Sequence, residues 1–193
     1  RKVVKFSNGE SVEYMHLVSS APLPKLSEMT VDVPEYVSDA AKTLEATSID
    51  LISVGFNKVV TKDLWFYIYD EDILASRAYS PSLKSPENAP IGCSSLQFEI
   101  YSRGTSSRFE IQKLKDNVVY ALLKMNIATK EDILFLHHKH LPYGNVIFDK
   151  GMEVQRDLVR NYFSGQGVAT VGRFGEWDYL WSNQSLLSGY SFV

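Results

Sequence analysis

The first alternation of apolar and polar positions lies at the start of the chain. Val3, Val4 and Phe6, then Val12, Tyr14 and Leu17, form two short runs on either side of Asn8-Gly9, a pair that favours a tight turn. The pattern predicts a hairpin over residues 2–20. It gives way at Ser19-Ser-Ala-Pro-Leu-Pro24, where two prolines stop a ladder and redirect the backbone. Pro34 in a first helical turn, followed by Val37, Ala40, Ala41 and Leu44, predicts a short amphipathic helix. The β-branched run 49–60 and the aromatic run 64–69 predict two antiparallel strands. A short strand is expected over 75–79, an extended loop through Pro81, Pro86 and Pro90, and another strand over 91–101.

The clearest periodicity follows. Ile111, Leu114, Val118, Val119, Ala121, Leu122 and Met125 recur at helical spacing, which predicts a helix between Phe109 and Met125. A strand over 133–140 is expected to stop at Leu141-Pro142, and a helix over 153–163 to end with Gly165 as its C-cap. After the apolar run Val168-Ala-Thr-Val171, a last helix is expected to begin near Ser182 or Asn183. Strands and helices come in clusters without regular βαβ alternation. That order implies an α+β fold, an antiparallel sheet with flanking helices.

Composition narrows the function classes. With 193 residues and 45% hydrophobic side chains the chain has material for a substantial core. A net charge of −3 and the absence of basic runs argue against a nucleic-acid partner. The single cysteine, Cys93, leaves no internal disulfide, and the default expectation is a reducing, cytoplasmic home. No apolar run approaches the ~18 residues of a membrane span, and the amino end lacks a signal-peptide layout. The sequence begins without methionine and inside an alternating pattern, so the expectation is a fragment of a longer chain.

Among motifs, the Gly-rich dinucleotide fingerprint, the P-loop and the nucleophile elbow are all missing. His137, His138 and His140 lack carboxylate or cysteine companions at ligand spacing, so no metal is expected. On a strand His138 and His140 share a face and His137 takes the other. Asp70-Glu-Asp72 reads as a solvated turn, Gly104-Thr-Ser-Ser107 as a cap and loop before a helix. Tyr67 and Arg77 stand apart: on paired strands a phenol and a guanidinium would face one cleft, a combination suited to a phosphate.

The segment GRFGEWDYLWSNQS, from Gly172 to Ser185, resembles the carboxy-terminal flavin-contacting motif of UDP-galactopyranose mutases, especially the eukaryotic type. The resemblance extends back through most of the chain. Trp65-Phe-Tyr67 is similar to that family's W-x-Y strand, with Arg77 at the family's spacing from Tyr67. Tyr143 falls where the family has a tyrosine after basic residues, and Ser19-Ser-Ala-Pro-Leu-Pro24 is similar to the crossing out of its flavin domain. The wider group includes protoporphyrinogen and amine oxidase-like flavoproteins.

The resemblance implies a chemistry in which N5 of reduced FAD attacks the sugar's anomeric carbon and displaces UDP before ring contraction. It implies cofactor contacts from Gly172, Arg173, Gly175, Asn183 and Gln184, the glycines admitting the flavin. It implies substrate contacts from Tyr67, Arg77, Tyr143 and Tyr179. Lys84 stands before Ser85-Pro86 where the family carries a further diphosphate-contacting tyrosine, and a lysine would meet phosphate as a point charge. The family's amino-terminal glycine-rich fingerprint and its flavin-proximal histidine loop have no counterpart here. The implied division is therefore 1–26 and 166–193 as pieces belonging against a missing FAD domain, which is the expected partner, and 27–165 as the substrate side. No catalytic residue is identified, and FAD itself is expected in a longer parent and not in this chain alone. Two alternatives stand beside the mutase reading: an FAD-dependent amine or protoporphyrinogen oxidase-like enzyme, and a sugar-nucleotide binding module without catalysis.

Overall fold

The computed structural model describes residues 2–191. In chain order the elements are β1 (Val3–Lys5), β2 (Ser11–Glu13), β3 (Leu17–Ser19), α1 (Leu23–Met29), α2 (Glu35–Thr43), β4 (Ala46–Phe56), β5 (Trp65–Tyr67) and β6 (Arg77–Tyr79). There follow α3 (Pro81–Lys84), β7 (Ser94–Arg103), α4 (Ile111–Lys124), β8 (Ile133–Val146), α5 (Met152–Gly165), β9 (Val168–Thr170), α6 (Gly172–Gly175) and α7 (Ser182–Tyr190). They fall into two compact units. The chain crosses between them at 45/46 and 144/145. No helix among the described residues is long and apolar enough to cross a membrane.

The second unit, Ala46–Gly144, is built on a five-stranded sheet of order β5-β6-β7-β4-β8. The β5/β6, β6/β7 and β4/β7 pairs are antiparallel. Every second residue of a strand faces the same way, and here one set is apolar. Ile52, Val54 and Phe56 of β4 join Ala78 of β6 and Leu96, Phe98 and Ile100 of β7 in a buried cluster. Leu114, Val118, Ala121 and Leu122 of α4 complete it; their spacing makes one stripe of a 3.6-residue period. The turn after β5 is tied to this helix. Asn117 accepts from Leu74 N at 2.8 Å and donates to Asp72 O at 2.9 Å. Lys124 Nζ meets Asp70 at 2.8 Å and Asp72 at 2.6 Å, so the acidic turn is exposed but anchored.

In the first unit, up to Glu45 and from Asn145 onward, α1, α2 and α5 pack together. Leu23, Leu26, Val37, Ala40, Ala41, Val159 and Phe163 are buried there. β3 pairs in parallel with β9, and β1 and β2 form a separate antiparallel hairpin. The expected hairpin over 2–20 is therefore confined to β1 and β2, while β3 leaves it to join β9.

Other local expectations are corrected as well. The strands expected over 49–60 and 64–69 form, but β4 and β5 are not neighbours; β6 and β7 lie between them. Pro22 and Pro24 end the strand and also open helix α1, Pro22 as N-cap. Pro34 is likewise an N-cap and not an interior residue. The proline-rich stretch expected as an extended loop winds into α3, capped by Ser80 through Leu83 N, and a 3-10 turn at Pro86–Asn88. Pro142 does not stop β8, because β8 is an edge strand, where a missing N–H is tolerated. Gly165 is the last residue of α5, and the left-handed conformation falls on Gly167, at φ +74°. The loop Gly104–Ser107 supplies no cap: Glu110 is the N-cap residue of α4, and without a side-chain bond.

Candidate functional site

In the second unit the sheet face opposite the apolar cluster has a different character. Register places Tyr67, Arg77, Glu99 and Leu51 in one cross-strand row and Trp65, Tyr79, Gln97 and Ser53 in the next. Tyr67 and Arg77 are thus direct partners, and both project to this face. Arg77 also meets Glu99: Nη2 donates to Oε1 at 2.8 Å and to Oε2 at 2.7 Å, and Nε donates to Oε2 at 3.1 Å. Tyr101 donates its hydroxyl to the same Oε2 at 2.7 Å. Hydrogen bonding to Glu99 pushes the already high pKa of Arg77 further up, against the opposing effect of burial, and the Tyr67 hydroxyl adds to the rise. Gln97 donates to Ser53 Oγ at 2.9 Å in the neighbouring row.

Glu99, Tyr101, Gln97 and Ser53 were missed by sequence reasoning. The available signal was the alternation Leu96-Gln-Phe-Glu-Ile-Tyr101, which puts Gln97, Glu99 and Tyr101 on one face of a strand. The other expected substrate residues of this unit lie apart from the row. Lys84 is exposed at the end of α3, and Tyr143 is half-buried late in β8. Two surface depressions of this unit, of about 440 and 220 Å³, are lined by residues near 59–63 and in 82–94 and by none of the expected site residues.

The three histidines of β8 divide between surface and half-buried positions. His137 is exposed, whereas His138 and His140 are half-buried against Asp50 of β4, which is wholly buried. His138 Nε2 and His140 Nδ1 lie 2.8 and 3.0 Å from Asp50 Oδ1. Burial works to raise the Asp50 pKa, but hydrogen bonding from Ser107, His138 and His140 outweighs it and holds the carboxyl below its ordinary range. An ionised carboxylate only accepts, so both histidines donate to it. The second nitrogen of His140, Nε2, lies 2.9 Å from the Thr105 carbonyl. With acceptors at both nitrogens the ring is best satisfied as imidazolium, and the Thr105 carbonyl, then Asp50, raise its pKa against burial. Ser48 Oγ donates to Ser106 O at 3.1 Å, so the loop ahead of α4 is fastened from β4 and β8 together.

In the first unit, the stretch from Gly172 separates into inward and outward residues. Gly172 has φ +74° and donates its N–H to Ser188 Oγ at 2.8 Å. The Ser188 hydroxyl in turn makes a short hydrogen bond to Glu176. A Cβ on Gly175 would stand 2.9 Å from Ser19 O and 3.5 Å from Ser20 Cα. Both glycines therefore answer demands of the chain itself. Trp177 is fully buried with φ +54°, and the Phe174 ring lies 6.3 Å from it. Tyr179 and Trp181, exposed by 54% and 65%, meet edge to face with centroids 6.5 Å apart.

Arg173 is half-buried and spans the outward part. Its Nε donates to Leu180 O at 2.8 Å, its Nη1 donates to Asn145 Oδ1 at 3.1 Å, and its guanidinium carbon lies 5.0 Å from the Tyr179 ring centre. Neither hydrogen-bond partner is charged. Asn183 and Gln184 are exposed in the first turn of α7, where Gln184 Oε1 accepts from Trp181 N at 2.8 Å. The expected site residues are thus gathered in two sets, Tyr67 with Arg77 in one unit and Arg173 with Tyr179 in the other.

No family model matches the sequence, and no curated protein matches it. Solved structures do. A reduced UDP-galactopyranose mutase structure superposes with a TM-score of 0.82 at 24% identity, covering 92% of this chain and 39% of that one. A protein assigned as a protoporphyrinogen oxidase from Exiguobacterium sp. 255-15 gives 0.71 at 14% identity, covering 98% and 42%. An oxidoreductase from Methanosarcina mazei gives 0.61 at 13%, covering 99% and 47%. The chain spans less than half the length of each. It therefore has the mixed fold, antiparallel sheet with flanking helices, found in part of these mutase and oxidoreductase structures.

Proposed function

We propose that the chain is the substrate-side and flavin-contacting part of an FAD-dependent enzyme acting on a sugar nucleotide, in the manner of UDP-galactopyranose mutase. The observation that carries this reading is the cross-strand pair Tyr67 and Arg77, set on the sheet face opposite the apolar cluster in a fold shared with the reduced mutase structure. In this reading Arg77 holds a diphosphate and the Tyr67 hydroxyl, its cross-strand partner, supports it. Arg173 fits the flavin side, because the hydrogen bonds of its cationic head go to neutral oxygens and it has no acidic partner among the described residues. Asn183, Gln184 and the exposed first turn of α7 offer further polar groups in the same unit, with the turn's positive end suited to an electron-rich edge. Gly172 and Gly175 serve this site by shaping the turn that carries Arg173. Bound FAD would supply the nucleophilic or hydride-accepting nitrogen.

Equilibrium titration with UDP tests the reading. The intact protein is expected to bind UDP, and Arg77→Ala to weaken binding by ~1.5–3 kcal/mol, the range of a charged hydrogen bond. Absence of UDP binding at millimolar concentration would overturn it. The likeness to the protoporphyrinogen oxidase over 98% of the chain favours a second reading, oxidation of a cyclic or amine substrate. Substrate-dependent bleaching of an oxidised flavin separates that reading from a mutase, whose reaction has no net redox change.

A further inference from the structure

Glu99 sits mid-strand in β7 with 5% of its surface exposed, and the proposed reaction gives it no task. Stability alone does not account for it. A buried ion pair gains about what desolvation costs, and well-packed apolar residues at such positions are often neutral or better; its neighbour in the same row, Leu51, is apolar. What Glu99 does achieve is geometric. It takes the Nε and Nη2 edge of Arg77 in a forked contact, and the Tyr101 hydroxyl donates to Oε2 of the same carboxylate. The unit Tyr101, Glu99, Arg77 and Tyr67 thus runs across three neighbouring strands, with Nη1 of Arg77 left outside the forked pair.

We infer that Glu99 is the positioning residue of the anion site: it fixes the guanidinium so that a diphosphate is met by Nη1 and the Tyr67 hydroxyl alone. This inference rests on the sugar-nucleotide reading of that face. Two consequences follow from the chemistry. An arginine already held in one rotamer loses little further freedom on binding. The pair also has nearly zero net charge, so selection depends on the shape of the diphosphate more than on its charge.

The test is a double-mutant cycle on UDP affinity in the intact protein, with Arg77→Ala, Glu99→Gln and the double variant, each first shown to unfold at the wild-type temperature within a few degrees. The amide of Glu99→Gln offers one acceptor in place of two and sets an NH₂ group against the N–H groups of Arg77. It is expected to weaken UDP binding about tenfold when Arg77 is present, the scale of one lost charged hydrogen bond, and less than about twofold when Arg77 is already alanine. Glu99→Asp is expected to recover part of the loss. An equal loss in both backgrounds would show that Glu99 acts through the fold, and tighter binding by Glu99→Gln would show that it only opposes the anion; either result overturns the inference and leaves the functional reading standing. A wild-type protein that binds neither UDP nor inorganic pyrophosphate overturns both.

Discussion

Gly175→Ala separates a glycine kept for a cofactor from one kept for the chain. The added Cβ would stand 2.9 Å from Ser19 O, and 3.5 Å from both Ser20 Cα and the Thr170 carbonyl carbon. These are backbone atoms and cannot turn aside. Ser19 O already accepts a hydrogen bond from Val171 N at 2.9 Å, at the end of the β3/β9 ladder, so relieving the contact means spreading that ladder from α6. Overpacking of this kind costs about 1–3 kcal/mol, and the better helix propensity of alanine returns somewhat under ~1 kcal/mol. A net loss of about 1–2 kcal/mol corresponds to roughly 2–8 °C for a chain of this size. The assay is thermal unfolding of the flavin-free protein followed by tryptophan emission, with the fully buried Trp177 as the reporter in this unit. Gly172→Ala is the companion: no heavy atom lies within 4 Å of its Cβ, but φ is +74°, a conformation costing an L-residue roughly 1–2 kcal/mol. If Gly175→Ala unfolded at the wild-type temperature without flavin and lost stability only with flavin bound, the packing argument would be refuted and the cofactor would be the reason for the glycine.

The remaining predictions concern the second unit. His140 has a raised pKa in the folded protein, so its contribution is complete below the ordinary histidine value and lost as pH rises through the folded one; denaturant midpoints measured between about pH 5 and 9 should fall on the alkaline side, and His140→Gln should flatten that fall. Asp50 has a lowered pKa, so its contribution is present above the ordinary carboxylate value and lost as pH falls through the folded one; Asp50→Asn should lower the denaturant midpoint most near neutrality and flatten its fall in acid. Leu122, fully buried between α4 and the sheet, should cost ~2–5 kcal/mol when cut to alanine, read from the urea midpoint.

The sequence was most legible where one short-range signal decides the outcome. The α4 stripe of Leu114, Val118, Ala121 and Leu122 follows from periodicity alone, and β7 from its alternation and flanking turns. Pairing was less legible, because strands adjacent in sequence pair by default and nothing local revealed that β6 and β7 come between β4 and β5. Proline was misread for a related reason. Pro142 would end a central strand, but the position of β8 at the sheet edge, which removes the penalty, is a property of the whole sheet. Within the candidate site, the meeting of Tyr67 and Arg77 on one face was readable from residue type and spacing. Glu99 and Asp50 were not, since a lone acid inside a strand has no meaning until the partner strands bring up Arg77 in one case and two histidines in the other.

The same distinction runs through the stretch from Gly172 to Ser185, whose mixture of residue types answers two sets of demands at once. Gly175 and Trp177 point inward: one lets Ser19 approach, the other fills the unit's interior from a left-handed backbone position. Arg173 and Tyr179 remain at the surface, the guanidinium held at 5.0 Å from the ring and bonded to a carbonyl and an amide oxygen. The inward residues fix where Arg173 leaves the backbone, so they are needed wherever this turn occurs, with or without a ligand. Only the outward residues carry information about what binds. A match to the whole motif therefore speaks first for the fold, and the argument for a flavin rests on Arg173, whose hydrogen bonds among the described residues go to neutral oxygens, and on the exposed start of α7.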